Sequence, residues 1–368
     1  MNFKIKTLDK FIFSQVFAAT LAALILFVIV WIAPETLVKI IRKITQQGMP
    51  FSTAGMLLLY EIPKVLMNVL PISILLGSLF TFDKLSKDSE LAILRSSGLS
   101  FSRIIRPIIF LGIGFSLFCF LIVDQAMPWA CKSTKEDAHF DEHFVYVQHD
   151  EYKNPLQAVI ISNFTHIGIK NLIITNFHND ENYSDVAQFD SILFADYALK
   201  KNGHWLLPTA VEYKIAPSGI YEKIENVKNV KILEGEDADV VYRIMLYGTK
   251  RDRAFTTAGL FQYIKLLKQK NIFDEYNFML SKFFQRFLHP LNCVLFAILG
   301  ALLGYAPPRS VKYLGFVFAA VILFSYYITI PFFDVLASKS VLPPFVCAAL
   351  PFAIFISLIF IIKKQKDL

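Results

Sequence analysis

The sequence predicts an α-helical polytopic membrane protein: six transmembrane helices, grouped three and three around an inserted all-β domain outside the cytoplasm. Three observations predict that class. The 368 residues are 55% hydrophobic and 18% charged, where ordinary soluble domains carry roughly 45–50% and 25%. The apolar excess is concentrated in six charge-free runs. Lys and Arg, in turn, crowd the short connections on one side of those runs.

The runs cover residues 11–33, 65–82, 107–123, 287–308, 313–333 and 341–362. Each is about 17–23 residues long, enough for a helix to cross a hydrocarbon layer of about 30 Å. The first exceeds the apolar region of a cleaved signal, about 7–15 residues. Pro34 and Glu35 follow it without a small-x-small cleavage pattern, so it reads as the first span. Three of the four cysteines, Cys119, Cys293 and Cys347, lie in spans and suit small apolar packing positions. With Cys131 alone in the soluble part, there is no disulfide framework and no metal-ligand spacing.

Lys4, Lys6 and Lys10, then Lys84, Lys87, Arg95, Arg103 and Arg106, then Arg309 and Lys312, then Lys363, Lys364 and Lys366 all fall on one side of a six-span path. An excess of positive charge marks the cytoplasmic side, so both termini are expected there, in a cell inner membrane. The division is 1–125 for helices one to three, 126–255 for the outer domain, and 256–368 for an interfacial helix and helices four to six. Residues 126–255 hold 14 Lys/Arg against 19 Asp/Glu, leaving 23 and 11 elsewhere. The net charge of +7 therefore combines +12 in the membrane part with −5 in the outer domain, and it does not point to nucleic acid.

Within the outer domain, 144–147, 158–161, 172–174, 191–194, 195–199 and 205–207 read as short strands rich in β-branched and aromatic residues. Asn202-Gly203 between the last two is a hairpin signal. Such a series fits a sandwich, jellyroll or related open β structure. It holds no catalytic constellation, and its histidines lack ligand spacing. After it, 256–270 shifts to a helical period, with Leu260, Ile264 and Leu267 on one face and Lys265, Lys268 and Lys270 around the other. This is either a helix lying on the membrane surface or a linker helix with a solvated basic face.

Two features break the charge pattern. Lys39, Arg42 and Lys43 follow the first span on the outer side, and Lys64 stands with Glu61 and Pro63 early in the second. An ionisable group at membrane depth is costly and points to function. Headgroup anchoring, snorkelling or a Glu61 pair would explain these residues; so would a site for an anionic, phosphate-bearing lipid. The other feature is the loop at about 86–98. Ser86 suits a helix cap, Asp88 and Glu90 its first turn, Arg95 its end and Gly98 its stop. Leu91 and Leu94 would form a face for a soluble partner, unless the segment is a plain surface turn.

At these residues the chain resembles the LptF/LptG permeases of lipopolysaccharide export. Residues 89–98, Ser-Glu-Leu-Ala-Ile-Leu-Arg-Ser-Ser-Gly, are similar to that family's coupling-helix motif. Ile62-Pro63-Lys64 with Leu70-Pro71, Trp205-Leu206-Leu207, Arg286-Phe287 with Pro290, 296–300 with Leu303-Gly304, and Leu342-Pro343-Pro344 are further similarities in the family's order. Leu37–Ile41 with Pro50 is more like LptF, and Ile62-Pro63-Lys64 more like LptG.

The resemblance implies a permease subunit that pairs with a second one, as homo- or heterodimer, above a dimer of a separate cytoplasmic ATPase. That partner would use ATP and Mg, and this chain would bind no cofactor or metal. It further implies that lipopolysaccharide is taken from the outer leaflet of the inner membrane and passed to LptC/LptA-like jellyroll proteins of a periplasmic bridge. Glu90, Leu91, Leu94, Arg95 and Gly98 then correspond to the ATPase-coupling segment. Lys39 and Lys64, with Arg42 and Lys43 beside them and Lys135 after the third span, correspond to lipid-phosphate contacts. No phosphate loop GxxxxGK[ST] occurs, so ATP hydrolysis is not expected here. The competing classes are a permease for another lipid or lipoprotein, a membrane-anchored enzyme, and an ion-coupled transporter. Against the enzyme, the outer domain lacks a catalytic motif; against the transporter, spans three, five and six contain almost no ionisable residues.

Overall fold

The computed structural model describes residues 7–32, 36–134, 144–149, 155–164, 169–178, 188–201, 204–216, 221–232, 247, 252–269, 272–306 and 314–366. It divides into two compact units, residues 1–134 with 252–368, and residues 135–251.

The first unit contains six helices long and apolar enough to cross a membrane: Thr7–Ile32, Phe51–Lys87, Arg106–Ser133, Glu275–Gly304, Leu314–Ser338 and Pro344–Gln365. The second and fourth form its centre. In their most apolar stretches 72% and 67% of residues are buried, against 11%, 17% and 22% in the first, fifth and sixth. The reason lies in small residues. A Cβ on Gly304 would come within 2.5 Å of the Leu79 carbonyl, and one on Gly300 would strike the Leu75 carbonyl. Only glycine lets two helix backbones approach so closely, and where lipid rather than water surrounds the helices, such packing is what drives their association.

Pro63 and Pro71 lie inside the second span, where each removes one backbone donor. Hydroxyls lean back on nearby carbonyls of the same helix, Ser73 on Val69 at 2.8 Å and Thr81 on Gly77 at 2.8 Å. The third span widens into a π-turn at Ile122–Ala126 before ending in Met127–Thr134. That turn presents Asp124, which accepts the Thr257 N–H at 2.8 Å.

The helix Thr257–Gln269 forms as the period predicts, but its apolar face is not open to lipid. Leu260, Tyr263 and Leu267 are fully buried and Ile264 nearly so. The Tyr263 hydroxyl donates to Glu275 at 2.5 Å, and its ring stacks on Phe255. The protein's own core takes the stripe that an interfacial helix would give to the membrane. Burial also pushes the Tyr263 hydroxyl's pKa well above the ordinary phenol value.

The second unit is an antiparallel sheet with β1 (Phe144–His149), β2 (Pro155–Phe164), β3 (Ile169–His178), β4 (Gln188–Lys201), β5 (His204–Ile215) and β6 (Tyr221–Ile232) in simple sequential order. The two segments read at 191–194 and 195–199 are one long strand, β4. Lys201 pairs with His204; the Asn202-Gly203 between them, read as a hairpin signal, lies outside the described residues. Alternation sets the buried face: Leu172 with Ile174, Leu193 with Ala195, Trp205 with Leu207. Strand β6 was not singled out because Glu222, Lys223, Glu225, Lys228 and Lys231 dilute its apolar pattern. Among the described residues it is an end strand of the sheet, a position where such charge is common.

Candidate functional site

Three groups of side chains in the first unit carry the chemistry. The first lies at the end of the helices where both the first span begins and the sixth ends. Here the second span continues unbroken to Lys87. Ser86 is therefore not a cap but a buried residue of that helix, 2% exposed. Its hydroxyl donates to the Gly304 carbonyl at 3.2 Å and accepts the Ala306 N–H at 3.2 Å. The separate short helix is Glu90–Ser96. It is entered through Ser89 in the left-handed region (φ 62°) and left through Gly98 at φ 84°. Glycine takes that conformation without steric cost, so Gly98 is the stop its position predicts.

The helix turns its leucines inward. Leu91 is 1% exposed in the core and Leu94 packs against the same cluster. They hold the helix in place, and the part left for a partner includes half-buried Glu90 and Ile93, 66% exposed, with Arg95 and Ser96 exposed beside them. Arg95 reaches back, donating to the Tyr305 hydroxyl at 2.7 Å. The connection after it is pinned as well: Arg103 grips Asp9 of the first span with two bonds of 2.6 and 2.7 Å. Those bonds raise the Arg103 pKa above the ordinary guanidinium value.

The second group is basic. Lys39, Arg42 and Lys43 are exposed on the helix Val38–Gln47, which is anchored by buried Ile40 and capped by Gly48 in the left-handed region. Lys64 lies on the second span, half-buried, with its ammonium 3.3 Å from Glu61. Of the readings open for Lys64, the local pair with Glu61 is present. Lys135 lies outside the described residues.

The third group was missed. A cavity of about 280 Å³ is lined by Trp31, Asn68, Lys282, Arg286, His289, Tyr327 and Asp334, among others. The fourth span supplies Lys282, Gln285, Arg286, His289 and Asn292, recurring every three or four residues and so along one helix face. That period was the available signal, but the apolar run starting at 287 excluded its first members. Asp334 likewise lies one residue past the run that marked the fifth span. It accepts from Lys282 at 2.5 Å and Gln285 at 2.7 Å. The fifth span thus carries one carboxylate, and it is already paired.

Arg286, 7% exposed, donates to the Asp252 carbonyl at 2.5 Å. The Tyr326 hydroxyl accepts from Asn292 at 2.9 Å and meets His289 Nδ1 at 2.5 Å. Tyr327 donates to the Asn68 carbonyl at 2.8 Å. Chemically the stripe is a polar seam that ties the fourth span to the fifth and to Asp252, with Tyr327 tying the fifth to the second. One pair of opposite charges, Lys282 and Asp334, is matched within it, while Arg286 is held by a backbone carbonyl with its Nη1 left over.

Compared with family models, residues 10–364 match the one described as lipopolysaccharide export system permease LptF/LptG. No curated protein matches the chain.

Proposed function

The chain belongs to the LptF/LptG family of lipopolysaccharide export permeases, and on that premise we propose that it draws lipopolysaccharide from the outer leaflet of the inner membrane and delivers it to a periplasmic bridge. It is a transport subunit and not an enzyme, with six apolar helices that fit a multi-pass inner-membrane protein. The finer reading has the termini in the cytoplasm and the sheet in the periplasm, as a jellyroll stacked beneath LptC/LptA-like jellyrolls. Each ATPase of a cytoplasmic dimer engages one permease, and a second LptF/LptG-type permease closes the cavity. ATP and Mg belong to the ATPase.

The observation that carries this is the short helix Glu90–Ser96. Its leucines are committed to the core, while Glu90 and Ile93 remain on its outer side. A carboxylate beside an exposed isoleucine on a braced helix is a docking element for a groove with a basic rim. Sparse burial of the first, fifth and sixth spans supports the rest, because those faces are free for lipid and for a second permease. Lys39, Arg42 and Lys43 offer cations to lipid phosphates; Lys64 joins them once Glu61 releases it.

Purification from native membranes tests the reading by identifying the bound ATPase, the second permease and the lipid by mass. Glu90→Lys is expected to weaken ATPase retention and abolish most export. Full retention with normal export in that variant would refute the docking role.

A further inference from the structure

We infer that Tyr305 is the positioning residue through which movement of the Glu90–Ser96 helix reaches the fourth and sixth spans. The inference rests on the proposed engagement of that helix by an ATPase.

Tyr305 is the first residue beyond the fourth span, with an extended backbone (φ −70°, ψ 114°). Three parts of it hold three different neighbours. Its hydroxyl accepts from Arg95 at 2.7 Å. Its carbonyl accepts from the Lys366 ammonium at 2.5 Å, and that ammonium also donates to the Leu302 carbonyl at 2.7 Å. Its ring takes Phe101 edge-on at 5.5 Å. The Arg95 guanidinium lies 5.6 Å and the Lys366 ammonium 6.0 Å from the ring centre, within the roughly 6 Å over which a ring attracts a cation. The start of the connection to the third span, the short helix and the end of the sixth span therefore meet at one residue.

What lies behind Tyr305 does not yield. Gly300 and Gly304 lock the fourth span against the second backbone to backbone, and Ser86 bridges Gly304 and Ala306 across the same joint. The short helix, by contrast, is joined at both ends through residues with positive φ, Ser89 and Gly98. Beyond the packing of Leu91 and Leu94, its far end is held by Arg95. Cutting the Arg95–Tyr305 bond leaves a helix that still docks but rocks on its leucines without carrying the spans.

The test uses the full complex, permease pair with ATPase, reconstituted in proteoliposomes loaded with lipopolysaccharide. Tyr305→Phe keeps the ring and the backbone carbonyl and loses only the hydroxyl. ATPase retention and the rate of ATP hydrolysis are expected to stay within about twofold, while lipopolysaccharide extracted per ATP falls at least about fivefold, the lower end of ordinary coupling energies. Arg95→Ala should lower the same ratio, and the double variant should be no worse than either alone. An unchanged ratio in Tyr305→Phe, penalties that multiply, or loss of ATPase retention in Tyr305→Phe would each overturn the inference. Normal export by Glu90→Lys would instead remove the reading beneath it. A coupling defect in Glu90→Lys alongside an unaltered Tyr305→Phe ratio removes this inference alone.

Discussion

Asp334 lies one position past the stretch by which the fifth span is recognised in the sequence, yet it decides how that span is held. A lone carboxylate costs about 2.5–3.5 kcal/mol at the centre of a span and less near its end, where Asp334 lies; the Lys282 ammonium with the Gln285 amide offsets that cost. Asp334→Ala leaves the Lys282 ammonium without its counter-charge, beside Gln285 and close to Arg286. Because each partner side chain is 17% exposed, the expected loss is on the order of 2 kcal/mol, below the roughly 3–5 of a fully buried pair. Thermal unfolding in detergent measures it, and the double variant with Lys282→Ala should recover part of it. A melting temperature unmoved by Asp334→Ala would refute the seam. On the outer basic residues, Lys39→Glu with Lys64→Glu is expected to reduce lipid loading by about tenfold, which is about 1.4 kcal/mol, without loss of assembly. Equal loading in nanodiscs would set that site aside. Gly98 and the Glu61–Lys64 pair were legible because the responsible atoms lie within four residues of each other. Asp334 and Tyr305 were not, since their partners are 52 and 210 residues away.

At the scale of elements, length and apolar content gave all six spans, whereas the direction in which each face points needed the packed structure. Leu91 and Leu94 illustrate the gap: an apolar pair on a short helix looks the same in sequence whether a partner or the chain's own core receives it. The same holds for Leu260, Ile264 and Leu267, which a membrane surface and the core would accept equally. Glycine is more informative once neighbours are known. Gly304→Val is expected to cost several kcal/mol, beyond the ~1–3 typical of added core volume, because backbone atoms of the second span stand in the way. Gly114→Val, where a Cβ meets nothing within 4 Å, should leave the melting temperature close to the parent's. Comparable losses in the two variants would mean that the second and fourth spans are not held backbone to backbone.

For the whole molecule, the sidedness rests on where positive charge sits in the connections, and it has a direct check. In a Cys131→Ser background, a cysteine at Lys223 of β6 should react with an impermeant maleimide applied to intact spheroplasts. One at Lys364 should react only after lysis. The reverse pattern would invert the proposed direction of transport. The second span is the feature that links the two sides. Its 37 residues, at about 1.5 Å each, make a helix of about 55 Å, nearly twice the thickness of the hydrocarbon layer it crosses. One continuous helix therefore runs from Lys87 to Phe51, with backbone pairing weakened only around Pro63 and Pro71. The segment beyond those prolines adjoins the basic helix Val38–Gln47.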